Sequence, residues 1–164
     1  MSQEINIRPD LSKEEKYEAL IPQIKALISG ENDVIANVSN IIAAIKHTMN
    51  YFWVGIYRVQ IKDTNEELVL GPFQGPVACT RIKFGKGVCG KAWEDSKAII
   101  VDDVNQFPGH IACSSLSRSE IVVPVFRNDK VVAVLDVDST DLSAFDAVDK
   151  KYLEEICNIL SGVL

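Results

Sequence analysis

The sequence predicts an α+β domain with a central, mainly antiparallel six-stranded sheet and N- and C-terminal helices packed on one face. Three observations support this fold class. Apolar residues recur at helical spacing near both ends of the chain, and they alternate with period two in between. Short turn signals separate most consecutive strand segments, which indicates hairpins. Helices segregated from an antiparallel sheet are the α+β arrangement.

Two helices are predicted before the sheet. Residues 1–10 are expected to form a flexible leader, and residues 11–164 a single domain. Ser12 and Glu15 form a capping box that begins the first helix, and Gly30 is a stop signal after it. A second amphipathic helix is predicted over about 33–48. Each helix has one apolar face, so each requires a partner surface.

Period-two segments begin after Tyr51, and Asp63-Thr64-Asn65 is expected to turn the first hairpin. A glycine-rich turn over 84–90 leads into a short helix, and the last helix is predicted to begin near Asp146. Residues 102–119 form a long polar loop, and loops of this length inside compact domains are usually functional. The predicted strands are 52–59, 67–71, 77–82, 98–101, 121–126 and 131–138.

Composition excludes several functional classes. The 164 residues are 47% hydrophobic and 24% charged, with a net charge of −6, as expected of one globular domain. An acidic chain is a poor general nucleic-acid binder. No apolar run approaches the ~18 residues of a membrane span, and the N-terminus lacks a secretory apolar region. We therefore expect a cytoplasmic protein, whose cysteines are more often reduced, metal-bound or catalytic than structural disulfides.

The four cysteines form no C-x-x-C pair. Cys79 lies at a predicted strand end, Cys89 in the glycine-rich turn and Cys113 in the long polar loop, and these places can meet on one side of the sheet. Cys157 lies beside the apolar face of the last helix, where a free cysteine packs as a small hydrophobe. Three cysteines in loops and turns indicate thiol redox chemistry, with one attacking thiolate and one resolving thiol.

Zinc is the alternative reading of these cysteines, because His110-x-x-Cys113 with Cys79 and Cys89 gives four ligands. The spacing is irregular, whereas most structural zinc sites use two close ligand pairs. We therefore expect no metal at these residues.

Carboxylates interrupt the apolar pattern of the last strand. Asp136 and Asp138 are two residues apart, so they share a face, and Glu120 opens the neighbouring strand. Three convergent carboxylates would bind a cation such as an ammonium group, and calcium or magnesium stays open. With a plain two-residue turn at Asn128-Asp129, Glu120 would lie on the opposite face of the sheet from Asp136 and Asp138. Convergence therefore requires an odd-length loop, a bulge or a bend, for example a register that places Glu120 opposite Asp136.

Two further features suggest a small pocket. Trp53 and Tyr57 share one face of the first strand, and Gly55 between them is expected to leave room for a ligand. The glycine-rich turn before the short helix can offer backbone N–H groups to an anion or to a developing negative oxygen.

Six segments stand out when the motifs are taken together: Trp53–Tyr57, Leu70–Gly75, Gly85–Gly90, Phe107–Cys113, Ser119–Pro124 and Val134–Ser139. Together they resemble one family, the free methionine-(R)-sulfoxide reductases, which are single GAF-type domains. The resemblance implies that Cys113 is the nucleophile and that Cys79 and Cys89 are candidate resolving cysteines. It also implies that Glu120, Asp136 and Asp138 hold the substrate and that Trp53 and Tyr57 wall its pocket.

By this resemblance, the expected activity is reduction of the R-sulfoxide of free methionine, with thioredoxin as reductant and no cofactor. A cysteine sulfenic acid and an intramolecular disulfide are the expected intermediates. Carboxylates that require a cation would select the α-ammonium of a free amino acid over a peptide. Two other hypotheses are a non-enzymatic GAF module that binds a small molecule and a redox sensor. The sequence leaves the oligomeric state open, a homodimer included.

Overall fold

The computed structural model describes residues 4–62, 64–111 and 113–164. The expected turn residue Asp63 therefore lies outside the described residues, as does Ala112 in the Phe107–Cys113 segment. Among the residues described, no helix is long and apolar enough to cross a membrane. The elements in chain order are α1 (Lys13–Leu27), α2 (Val34–Met49), β1 (Trp53–Lys62), β2 (Asn65–Gln74), β3 (Arg81–Lys83), α3 (Gly87–Asp95), β4 (Ile99–Val101), a 3₁₀ turn (Val104–Gln106), β5 (Ser119–Arg127), β6 (Lys130–Ser139) and α4 (Ala147–Val163).

The six strands form one antiparallel sheet in the order β3-β2-β1-β6-β5-β4, which confirms the predicted fold class. The third strand was expected over 77–82, and this is wrong, because β3 contains only Arg81–Lys83. Pro76 has no backbone N–H, and the Cys79 carbonyl accepts a hydrogen bond from the Tyr57 hydroxyl at 3.0 Å. Residues 77–79 therefore form a loop.

The two faces of the sheet carry separate apolar clusters. On one face, α1, α2 and α4 pack on outward residues of the central strands, such as Ile56 and Leu135. The Ser12–Glu15 capping box is present, as predicted. Ile5 and Ile7 pack against the same cluster, so this part of the expected leader contacts the helices. On the other face, α3 and its connecting loops cover a smaller cluster that includes Trp53, Tyr57 and Cys89.

The β5–β6 hairpin contains the predicted irregularity. Asn128 and Asp129 form a two-residue turn with φ of 50° and 60°, the backbone of a tight hairpin turn. The pairing then shifts between Val125 and Phe126, which leaves Val132 as an extra residue in β6. This bulge reverses the face of every residue beyond it.

A buried carboxylate joins the helices to the start of the sheet. Asp149, in the first turn of α4, is fully buried and accepts hydrogen bonds from the hydroxyls of Tyr17 at 2.9 Å and Tyr51 at 2.5 Å. The Lys13 ammonium forms an ion pair with it. These contacts tie α1, α4 and Tyr51, two residues before β1, to one group.

We predict that Asp149→Ala destabilises the fold by about 3 kcal/mol, because it removes the acceptor that two buried hydroxyls share and the buried partner of the Lys13 ammonium. The measurement is the free energy of unfolding in urea. The control is Lys25→Ala, which breaks the exposed Lys25–Glu155 pair and should cost under about 0.5 kcal/mol. Equal effects of the two substitutions would contradict the role of Asp149.

Candidate active site

One cavity lies on the α3 face, over the centre of the sheet. The cavity and its mouth enclose about 540 Å³, open solvent at the mouth included. Its walls come from strands β1, β5 and β6, from the first turn of α3, and from the loops on either side. Of the eight candidate catalytic and substrate-binding residues predicted from the sequence, seven line this cavity. The eighth, Cys79, does not line it, but its neighbour Ala78 does.

Cys79 and Cys113 form a disulfide at the mouth of the cavity. Their Cα atoms are 5.5 Å apart, and 34 residues separate them in the sequence. Cys113 is exposed and Cys79 is half-buried. The Cys79 carbonyl accepts the Tyr57 hydroxyl, so one end of the disulfide is anchored to the central strand β1. The disulfide therefore joins the two loops that flank the cavity.

The three predicted carboxylates converge on the cavity. Glu120 lies directly opposite Asp138 in the β5–β6 pair, and Asp136 is the diagonal neighbour on the same face. The predicted bulge is confirmed, but the example register was wrong in detail: Glu120 faces Asp138 and not Asp136. The extra residue lies in β6 rather than in the turn. A shift of the β5–β6 register by one residue, in either direction, places Glu120 on the same face as Asp136 and Asp138.

Burial dominates the electrostatics of these acids. The side chains of Glu120 and Asp136 are 6% and 7% exposed. Burial, and then the neighbouring carboxylates, raise the pKa of both groups well above their ordinary values. Burial also raises the pKa of Asp138, to about 6, against the opposing effect of a hydrogen bond from Ser117.

No lysine or arginine among the described residues lines this cavity to balance the acids. The nearest basic group is His110, whose Nε2 atom is 3.8 Å from Oε2 of Glu120. Burial lowers the pKa of His110, so its imidazole is mostly neutral at pH 7. Sequence reasoning missed the placement of both His110 and Ser117 beside the acids. Their only sequence signal is their position in the long polar loop.

Cys89 is buried beside the acids, away from the disulfide. It is a free thiol in the first turn of α3 and is 3% exposed. Its Sγ atom and one oxygen each of Glu120 and Asp136 all lie within 4.8 Å of one another. Burial and then the nearby carboxylates raise the pKa of its thiol well above the ordinary value. Of the two candidate resolving cysteines, Cys79 is the one bonded to Cys113, and Cys89 keeps a free thiol.

Trp53 and Tyr57 line the cavity as predicted, with ring centroids 6.1 Å apart. The expectation that Gly55 leaves room for a ligand is wrong. A Cβ atom at Gly55 would lie 2.2 Å from the Trp53 indole, and one at Gly75 would lie 2.6 Å from it. Both glycines therefore admit the indole itself, whose Nε1 donates to the Pro76 carbonyl at 3.0 Å. The ring is held in place and forms a fixed wall of the cavity.

The first turn of α3 also faces the cavity. Gly87, Val88 and Cys89 line it, and the N-cap residue Lys86 makes no side-chain capping bond. First-turn N–H groups have no acceptor within their own helix, and the N-terminus of a helix attracts anions. The site therefore places the N-terminus of a helix and three carboxylates in the same cavity.

The cavity thus combines a cysteine pair, three carboxylates and the N-terminus of a helix. Comparisons with known proteins identify the family. A family model described as GAF domain matches residues 31–164. The chain is 58% identical to GAF domain-containing protein A of Dictyostelium discoideum, over 92% of this chain and 94% of that protein. It is 42% identical to the free methionine-R-sulfoxide reductase of Saccharomyces cerevisiae, over 96% of this chain and 90% of the yeast protein.

A solved structure gives the same assignment. The free methionine-R-sulfoxide reductase of Neisseria meningitidis, in complex with its substrate, superposes with a TM-score of 0.93 at 45% identity. The match covers 98% of this chain and 95% of that one. The chain therefore belongs to the GAF-domain family and, within it, to the free methionine-R-sulfoxide reductases, which are oxidoreductases.

Proposed function

We propose that this protein reduces free L-methionine (R)-S-oxide to L-methionine through a sulfenic acid on Cys113 and a Cys79–Cys113 disulfide, which thioredoxin then reduces. One observation carries the proposal. Three carboxylates lie in the same cavity as the Cys79–Cys113 pair, two of them buried and one partly buried, with no lysine or arginine partner in the described cavity. A buried anionic cluster is stable only when protonated or paired with a cation, and the α-ammonium of the substrate supplies that cation.

The substrate is recognised at both of its charged groups. Its α-ammonium lies among Glu120, Asp136 and Asp138, and its α-carboxylate lies at the N-terminus of α3. The side chain then runs along the wall of Trp53 and Tyr57 toward Cys113. A methionine within a peptide has an amide nitrogen in place of the ammonium, so it would leave the buried acids unpaired. This mismatch favours the free amino acid.

In the first chemical step, the Cys113 thiolate attacks the sulfoxide sulfur. The S–O bond of the substrate breaks, and its oxygen leaves with Cys113 as the sulfenic acid while methionine is released. The sulfoxide oxygen must gain a proton in this step. Glu120 and Asp136 have raised pKa values, so one of these crowded carboxyl groups retains a proton to donate.

In the second step, the Cys79 thiol condenses with the sulfenic acid. A sulfur–sulfur bond forms and water leaves. The two electrons that reduced the sulfoxide therefore come from the two thiols, which are oxidised to the disulfide. A dithiol such as that of thioredoxin restores both thiols by exchange. Cys113 is exposed at the mouth of the cavity, where a protein thiolate can reach it. Thioredoxin operates in a reducing compartment, which supports a cytoplasmic location.

We predict that Cys113→Ser abolishes turnover of free methionine (R)-S-oxide, because serine cannot form the sulfenic acid. The assay follows methionine release with dithiothreitol as reductant. Turnover by the unaltered protein also excludes a module that only binds ligand.

The matched control is Cys157→Ser, which alters a cysteine that does not line the cavity. The Cys157 thiol is buried and lies 3.7 Å from the Val123 carbonyl. This variant should keep kcat/KM within about twofold, since the residue serves only packing. Substantial turnover by Cys113→Ser would remove Cys113 from the nucleophile role.

We also predict an acidic limb in the pH profile of kcat/KM. The raised pKa of Asp138, about 6, means that its carboxylate is charged above pH 6 and neutral below it. As the pH falls below 6, kcat/KM should drop by about tenfold per pH unit, because Asp138 no longer attracts the ammonium.

Asp138→Asn should lower kcat/KM at pH 7.5 and flatten this limb. The control substrate is N-acetylmethionine sulfoxide, which has no ammonium group, so its acidic limb should lack the contribution of Asp138 and should not change in Asp138→Asn. An unchanged limb for free methionine sulfoxide in Asp138→Asn would assign it to another group.

A further inference from the structure

We propose that Cys89, Glu120 and Asp136 form a binding site for a thiophilic divalent cation, with Zn²⁺ as the best match. The three side chains come from α3, β5 and β6, and their ligand atoms lie within 4.8 Å of one another. Zinc bonds of about 2.0–2.3 Å require contraction of this cluster by about 1 Å. Side-chain rotations would supply it, since the backbone of all three residues lies in helices or strands.

A second observation points to a missing partner. The Oδ1 atom of Asp136 is buried, and it finds no hydrogen-bond partner in the described part of the chain. The Asp136 side chain is 93% buried, since its exposure is 7%, and it lines the cavity. A buried carboxylate oxygen without a donor is unfavourable unless a proton or a cation completes its environment.

The donor set selects the class of cation. One sulfur and two carboxylate oxygens suit Zn²⁺, Cd²⁺ or Co²⁺, whereas Mg²⁺ and Ca²⁺ prefer oxygen ligands alone. Because all three donors line the cavity, a fourth position is left for solvent. Binding would release the thiol proton of Cys89 and any carboxyl proton to solvent.

This site differs from the zinc set considered from the sequence. That set needs Cys79 and Cys113, which are joined in a disulfide here. The proposed site uses neither of them, so it exists in both redox states of the pair. The cation would share Glu120 and Asp136 with the substrate ammonium. On the proposed function, zinc is therefore a reversible inhibitor that competes with free methionine sulfoxide.

The test uses the full-length protein with its Cys79–Cys113 disulfide intact. Of the four cysteines, only Cys89 and Cys157 then carry thiols. Co²⁺ is the probe, because a cobalt–thiolate bond gives a charge-transfer absorption in the near ultraviolet. The unaltered protein and Cys157→Ser should show this band, and added Zn²⁺ should remove it. Cys89→Ser should lose the band and bind Zn²⁺ about 10- to 100-fold more weakly.

A missing band in the unaltered protein, or a band that survives Cys89→Ser, would overturn the site. If Cys89→Ser does not fold, Glu120→Gln serves instead and should weaken Zn²⁺ binding while retaining the thiol. Equal Zn²⁺ affinity in that variant would also overturn the site. The reduced protein is assayed for turnover separately. Turnover without a cobalt–thiolate band refutes the metal site alone, and a band without turnover refutes the proposed function alone.

Discussion

The site depends on one constraint: three carboxylates on the α3 face of the sheet, two buried and one partly buried, have no lysine or arginine beside them in the described cavity. In other parts of the fold, buried acids have partners: Asp149 receives two tyrosine hydroxyls and the Lys13 ammonium. Glu120 and Asp136 have only each other, Asp138, Cys89 and a mostly neutral His110 nearby. The negative charge of these acids can therefore be balanced by a small cationic ligand. The same crowding keeps one carboxyl group protonated, so that it can donate a proton.

The fold supports this arrangement with features remote from the chemistry. The bulge at Val132 brings Glu120 to the face of Asp136 and Asp138. Gly55 and Gly75 admit the Trp53 indole, which closes one side of the cavity. The helices on the opposite face cover the apolar residues that alternate with the acids along β5 and β6. A carboxylate cluster can be kept rigid only because both strands are packed in this way.

Much of this could be predicted from the sequence because the signals are local. Periodicity and capping predicted the helices, and alternation predicted the strands except for the bounds of the third. The need for convergence predicted the irregularity between Glu120 and Asp138. The prediction failed where nonlocal contacts decide. The Tyr57 hydroxyl donates a hydrogen bond to the carbonyl of Cys79, which lies outside β3. The indole of Trp53 fills the space over Gly55. His110 and Ser117 reach the acids from a loop without periodicity, so no pattern could place them.

The central claim is that the buried carboxylates recognise the α-ammonium of the ligand. The most direct measurement is calorimetric binding of free L-methionine sulfoxide to Cys113→Ser, compared with 4-(methylsulfinyl)butanoate, which lacks only the amino group. The account predicts that the amino acid binds at least about 100-fold more tightly, as expected when buried polar groups lose their partner. Equal affinity for the two ligands would contradict it.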